Sequence, residues 1–147
     1  MIEGIVTLTQ PQSGARQFVA TSGTGHHLLL DDAAGNSGAK PIELVALALA
    51  GCTAFDVINI LRKKRQQVLG YSVSVEADQA DTPPQVFTNV RIHHRITGDV
   101  EPRAVEDAIR LSEEKYCSVG AMIERSGAVV HATFEIVPSE VLAGVAG

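Results

Sequence analysis

Tryptophan is absent, and the other aromatics are scarce: two tyrosines and four phenylalanines in 147 residues. A core without them rests on Ala, Val, Ile and Leu, which bury less area per residue, so part of the stability is expected to come from oligomerisation. Basic residues are outnumbered, leaving a formal net charge of -5, so no nucleic-acid partner is expected. No uncharged apolar run reaches the roughly 18 residues that suggest a spanning helix, so no membrane partner is expected either. The first residues, Met-Ile-Glu-Gly-Ile-Val, lack the basic start and apolar core of a signal peptide. A cytoplasmic location is the resulting expectation. Cysteine is limited to Cys52 and Cys117, and a permanent structural bridge between them would be unusual in that compartment. There is no Cys-x-x-Cys or His-x-x-x-His pair to anchor a metal, no glycine-rich dinucleotide or phosphate loop, and no serine nucleophile elbow. No metal and no cofactor are expected.

What is present reads as one α+β domain over residues 1–147. Residues 2–9, Gln17 to Thr21 and His26 to Leu30 read as three strands of an antiparallel meander, followed by a glycine-rich loop from Asp31 to Lys40. Pro41 opens a long helix that runs to about Arg65. Proline is pre-organised for the first helical turn, and Glu43 suits the positive end of the helix dipole. The middle of this helix is apolar nearly all round, so it is expected to be buried on most faces. One small sheet cannot cover all of it, which predicts a homodimer. Its last turn, Arg62 to Arg65, is read as a solvated, dipole-complementing end. Val68 to Ala77 and Val86 to Thr97 read as strands, with Tyr71, Val73 and Val75 sharing one side. Helices are predicted from Pro102 through Leu111 and from Tyr116 to about Glu124, with a final strand from Ala128 to Val137. The tail after Pro138 is small and expected to be loosely held.

The two thiols sit in different settings. Cys117 opens a helical segment with Lys115 nearby, where free backbone N–H groups and the dipole favour a thiolate. Cys52 lies about three turns into the long helix, where the dipole helps little. Local physics thus makes Cys117 the better-activated thiol. Ala50, Gly51 and Ala54 leave little bulk around Cys52, which either opens its sulfur to a small molecule or permits close helix packing. Asp56 falls one helical turn after Cys52, on nearly the same face. Unpaired, it would raise the thiol pKa, so a cation must reach both groups for Cys52 to react. Arg16 and Arg125 are the candidates. Among the histidines, His26 and His27 follow each other at a strand start, and His93 and His94 point to opposite faces of their strand.

The segment Lys40-Pro41-Ile42-Glu43-Leu44-Val45, followed by Ala50-Gly51-Cys52, resembles the central-helix motif of the OsmC/Ohr family. Glu114-Lys115-Tyr116-Cys117-Ser118-Val119 is similar to that family's second-cysteine motif, and the resemblance extends to the order of elements and the 65-residue cysteine spacing. The Ser22 to His26 turn and the Phe55 to Ile58 stretch are most similar to the YhfA-like branch. The resemblance implies an intertwined homodimer with the central helices packed together and two active sites at the interface. It also implies a thiol peroxidase for organic hydroperoxides. Cys52 would be the peroxidatic thiol and Cys117 the resolving one, with an external dithiol, lipoyl-like or thioredoxin-like, as reductant. This reverses the local ranking of the two thiols.

Hydroperoxidase members carry a Glu directly after the motif proline. Here that position is Ile42, and Glu43 follows one step later, turned by roughly 100°. Glu43 is the candidate orienting carboxylate and Arg16 the candidate activating cation. Two alternatives use the same scaffold: a non-peroxidase thiol protein that senses redox state or binds small electrophiles, and a dimer that binds an apolar ligand with both cysteines structural.

Overall fold

The structure is a computed structural model and describes residues 1–139. The tail after Pro138 therefore lies outside the described residues, apart from Ser139. The chain packs as two compact units that divide after Val45.

In the first unit, β1 (Gly4–Leu8), β2 (Phe18–Ser22) and β3 (His27–Leu30) form the antiparallel meander read from the sequence, in spatial order β1-β2-β3. The loop from Asp31 to Lys40 is tied back by a bridge between Leu30 and Ala39. Buried Asp31 orders it further, accepting hydrogen bonds from the Ser37 hydroxyl and the backbone N–H groups of Ser37 and Asp32. His26 and His27 are both exposed, each bonded through Nδ1 to a threonine hydroxyl, Thr24 and Thr21 respectively.

Helix α1 (Pro41–Lys63) begins at the proline, as expected, and crosses the division between the units. Its buried residues are Leu49, Ala50, Thr53, Val57 and Leu61, a single stripe at helical spacing. The expectation of burial on most faces is therefore corrected: the chain covers only one stripe of α1. Leu47 and Phe55, 57% and 79% exposed, stand off it. By length and mean hydropathy α1 is also capable of crossing a membrane, with Asp56 interrupting its apolar run. The absence of an uncharged run did not exclude such a helix.

The second unit contains a three-stranded sheet in the order β4-β5-β6. Strands β4 (Gln67–Gln79) and β5 (Phe87–Asp99) are antiparallel, while β6 (Val129–Val137) runs parallel to β5. Parallel neighbours need a crossover connection. It is made by α2 (Pro102–Leu111), a π-helical turn (Ser112–Tyr116) and α3 (Ser118–Arg125). The Cys117 N–H donates to the Ser112 carbonyl at 2.8 Å, closing the wide turn. On β5 the buried residues Val90, Ile92, His94 and Ile96 alternate with more exposed ones, so one face is core and one is wet. Val57 and Leu61 of α1 join Ile96, Val105, Ala108 and Ile109 in the main apolar cluster. The π turn is the one element the periodicity did not anticipate.

Candidate thiol site

The apolar stripe of α1 and the crossover bring together residues distant in sequence. Cys52 Sγ, Cys117 Sγ and a carboxylate oxygen of Asp56 all lie within 4.8 Å of one another. Both cysteines are free thiols, Cys52 half-buried and Cys117 buried. Around Cys52 the helix is open: a Cβ placed on Gly51 would meet nothing within 4 Å.

Cys117 is the N-cap of α3 and accepts a hydrogen bond from the Gly120 N–H at 3.2 Å. That much agrees with its reading as a helix-start thiol. The conclusion that it is the better-activated one does not hold. Burial pushes the Cys117 thiol well above its ordinary value, its bond to the Cys52 sulfur and the charges of Cys52 and Asp56 push the same way, and the Gly120 N–H opposes them only in part. Lys115 is turned to the Tyr116 ring, 5.2 Å from its centroid. Cys117 is thus a protonated thiol at neutral pH, and Cys52 is the more accessible sulfur.

Asp56 required a partner, and the partner is Ser112. The buried Ser112 hydroxyl donates to Asp56 Oδ2 at 2.8 Å and lies 3.1 Å from Thr53 Oγ1, a second hydroxyl in the same network. Among the described residues of this unit, no lysine or arginine forms an ion pair with Asp56. Arg125 is exposed at the end of α3 opposite the Cys117 cap, roughly 12 Å along the helix axis. In the first unit, Arg16 pairs with Asp32, Nε to Oδ2 at 2.8 Å. Glu43 reaches back to accept the Lys40 N–H at 2.9 Å, one half of a capping box at the start of α1. Each of these two charged groups therefore has a local structural partner.

Behind Cys117 lies a second polar layer that the sequence reading passed over. His94 is fully buried on the inner face of β5, and its Nδ1 is 2.7 Å from the Tyr71 hydroxyl of β4. The two rings are nearly parallel, with centroids 6.0 Å apart. Burial, with His93 adding, lowers the His94 pKa to about 4, so the ring is neutral at pH 7. Burial and the Asp56 charge raise that of Tyr71, which keeps its proton. The signal for His94 was its position between Ile92 and Ile96 in a strict alternation. Ser112 lay on the apolar stripe of Ala108 and Ile109, where a hydroxyl needs a partner.

As a donor set, two sulfurs and one carboxylate suit a thiophilic divalent ion or a thiol redox couple. The His-x-x-x-His and Cys-x-x-Cys spacings could not reveal this set, because it is assembled by tertiary packing.

The fold and the paired thiols define a class of protein. The chain belongs to the OsmC-like protein family, whose model matches residues 34–132. It is 38% identical over 121 residues to protein YhfA of Escherichia coli strain K12, across 82% of this chain and 90% of that protein. A hypothetical protein from Aquifex aeolicus superposes with a TM-score of 0.82 at 29% identity, covering 94% of this chain and 97% of the other. The organic hydroperoxide resistance protein OhrB of Bacillus subtilis shares the fold at 15% identity, with a TM-score of 0.64 and coverage of 92% and 98%. These likenesses bear out the expected family and α+β fold.

Proposed function

We propose that the protein is a two-cysteine thiol peroxidase that reduces organic hydroperoxides. The observation that carries this reading is the meeting of an accessible thiol, Cys52, with a buried protonated one, Cys117, across 65 residues of sequence. The Cys52 thiolate attacks the terminal oxygen of the hydroperoxide, the O–O bond breaks, and the alcohol leaves after taking a proton. Cys52 becomes a sulfenic acid. The Cys117 sulfur then displaces its hydroxyl, which departs as water with the Cys117 proton, and a disulfide forms. An external dithiol, lipoyl-like or thioredoxin-like, reduces that bond by exchange. The peroxide resistance named for the Bacillus subtilis structural neighbour accords with this chemistry.

The same reading includes a homodimer, because Leu47 and Phe55 on α1 are apolar and exposed. It also requires a cation beside Cys52, for which Arg16 is the candidate. Glu43 as an orienting carboxylate belongs to the same proposal.

Turnover of tert-butyl hydroperoxide with lipoamide or thioredoxin tests the reading. Cys52→Ser is expected to abolish turnover, whereas Cys117→Ser is expected to let Cys52 over-oxidise to sulfinic acid. Mass spectrometry after one equivalent of hydroperoxide that finds neither sulfenic acid nor disulfide at Cys52 overturns it.

A second reading has its own observation: among the described residues of its unit Asp56 has no ion-pair partner, and Ile42 stands where hydroperoxidase members carry Glu. It makes Cys52 a thiol for small electrophiles. Rapid alkylation near neutral pH combined with slow reaction with hydroperoxide selects this reading over the first.

A further inference from the structure

Among the described residues, His94 Nε2 is the one buried side-chain nitrogen or oxygen with no hydrogen-bond partner in the protein. Such an atom is costly to bury unless something satisfies it. His94 lines a cavity of about 20 Å³ together with Thr53, Ser112, Cys117, Glu113 and Glu124. That volume is enough for one water, which needs on the order of 10–15 Å³ and two to four polar partners. The polar residues of the lining are one histidine, two hydroxyl residues, Cys117 and two glutamates. The cavity is separate from the open side of Cys52, which does not line it.

The Tyr71 phenol stays protonated, so it has a hydrogen to give to His94 Nδ1, 2.7 Å away. A neutral imidazole that accepts at Nδ1 carries its own hydrogen on Nε2. With Tyr71 as the donor, the hydrogen of His94 sits on Nε2, in a residue that lines the same cavity as Cys117. We propose that Tyr71 and His94 form a hydrogen-bonded relay that stabilises the Cys117 thiolate through one water bound in this cavity. His94 is then a positioning residue. Its N–H donates to the water, the water donates to Sγ, and the developing negative charge is met by donors from two sides, the water and the Gly120 N–H. The other ionisable groups around Cys117 and the relay are Cys52 and Asp56 on α1, His93 on β5, Glu113 on the π turn and Glu124 on α3. The three carboxylates place negative charge there, so a donor relay is what a thiolate at Cys117 needs. Burial opposes the ionisation of Cys117, and the relay acts against that opposition.

This inference rests on Cys117 being the resolving thiol, and its test avoids hydroperoxide so that the two fail separately. The folded protein is treated with one equivalent of dithiobis-nitrobenzoate. Cys52 attacks first, releasing one thionitrobenzoate and forming a mixed disulfide. Cys117 then attacks the Cys52 sulfur, giving the Cys52–Cys117 disulfide, a second thionitrobenzoate and a proton. The rate of the second release, taken relative to the first, is followed across pH. His94→Leu and Tyr71→Phe are expected to slow it about tenfold near neutral pH and to raise its pH midpoint by about one unit. His94→Gln, whose amide N–H reaches toward the same cavity, is expected to recover part of the rate. Where His94→Leu fails to fold, Tyr71→Phe decides, since it removes a single oxygen. A wild-type midpoint in the folded variants overturns the proposal, and so does a wild-type protein that releases no second thionitrobenzoate.

Discussion

Ser112 holds Asp56: its hydroxyl donates to Oδ2 at 2.8 Å, and the bond joins the start of the π turn to the middle of α1. The carboxylate one turn beyond Cys52 is thereby fixed by a neutral donor. The position of Cys117, five residues after Ser112 and bonded to its carbonyl, is fixed by the same residue.

Replacing Ser112 with alanine leaves the Asp56 carboxylate without its donor and opens a small gap in a fully buried position. Ser112→Ala is expected to lower stability by about 1–3 kcal/mol. Urea unfolding monitored by circular dichroism measures it. A loss below a few tenths would mean that the bond does not anchor the site.

The neutral burial of His94 makes stability depend on pH. In the unfolded chain its imidazole titrates at the ordinary 6.5, and in the folded chain at about 4. Between these values the unfolded state binds the extra proton, so stability falls as pH is lowered from about 6.5 to 4. The loss from this residue approaches about 3 kcal/mol. Denaturant midpoints taken across this range are expected to drop for the wild type and to drop less for His94→Leu.

Gly120 sits against the thiol. A Cβ there would lie 3.1 Å from Cys117 Sγ and 3.5 Å from Leu49 Cδ1, so the sulfur must shift by a few tenths of an ångström. Alanine is a better helix former than glycine by up to about 1 kcal/mol, which offsets part of the crowding. Gly120→Ala is therefore expected to keep near wild-type thermal stability while slowing disulfide formation several-fold. Equal disulfide rates in the two proteins, followed by quenched alkylation and mass spectrometry, would refute this.

Phe55 is 79% exposed on a helix with one buried stripe. An aromatic side chain so placed is better covered than wet, and a homodimer is the expected cover. Light scattering after size exclusion is expected to give twice the chain mass for the wild type and the chain mass for Phe55→Glu. A wild-type monomer at micromolar concentration removes the dimer from the proposal.

The elements were legible because their periods are clean. Pro41 marked the start of α1, and Tyr71, Val73 and Val75 marked one side of β4. The site was legible only as two positions. That Cys117 caps a helix could be read locally. That it is buried beside another sulfur and a carboxylate could not, because those neighbours arrive from α1, and burial reversed the expected activation. The Ser112 bond was hidden for the same reason: its partner is 56 residues away. The wide turn at Ser112–Tyr116 is set by backbone bonds such as that from the Cys117 N–H to the Ser112 carbonyl, which leave no hydrophobic period to read. The stripe on α1 was overestimated because composition tells how much apolar surface exists, not how much of it one chain covers.

The parallel pairing of β6 with β5 has a consequence for biosynthesis. Cys52 leaves the ribosome long before Cys117, and the crossover that carries Cys117 is closed only when β6 docks beside β5. Such non-local pairing forms late, after most of the chain has been made. A nascent chain halted before Val129 lacks the strand that closes the crossover carrying Cys117. The last strand of the sheet thus completes the frame in which the two sulfurs meet.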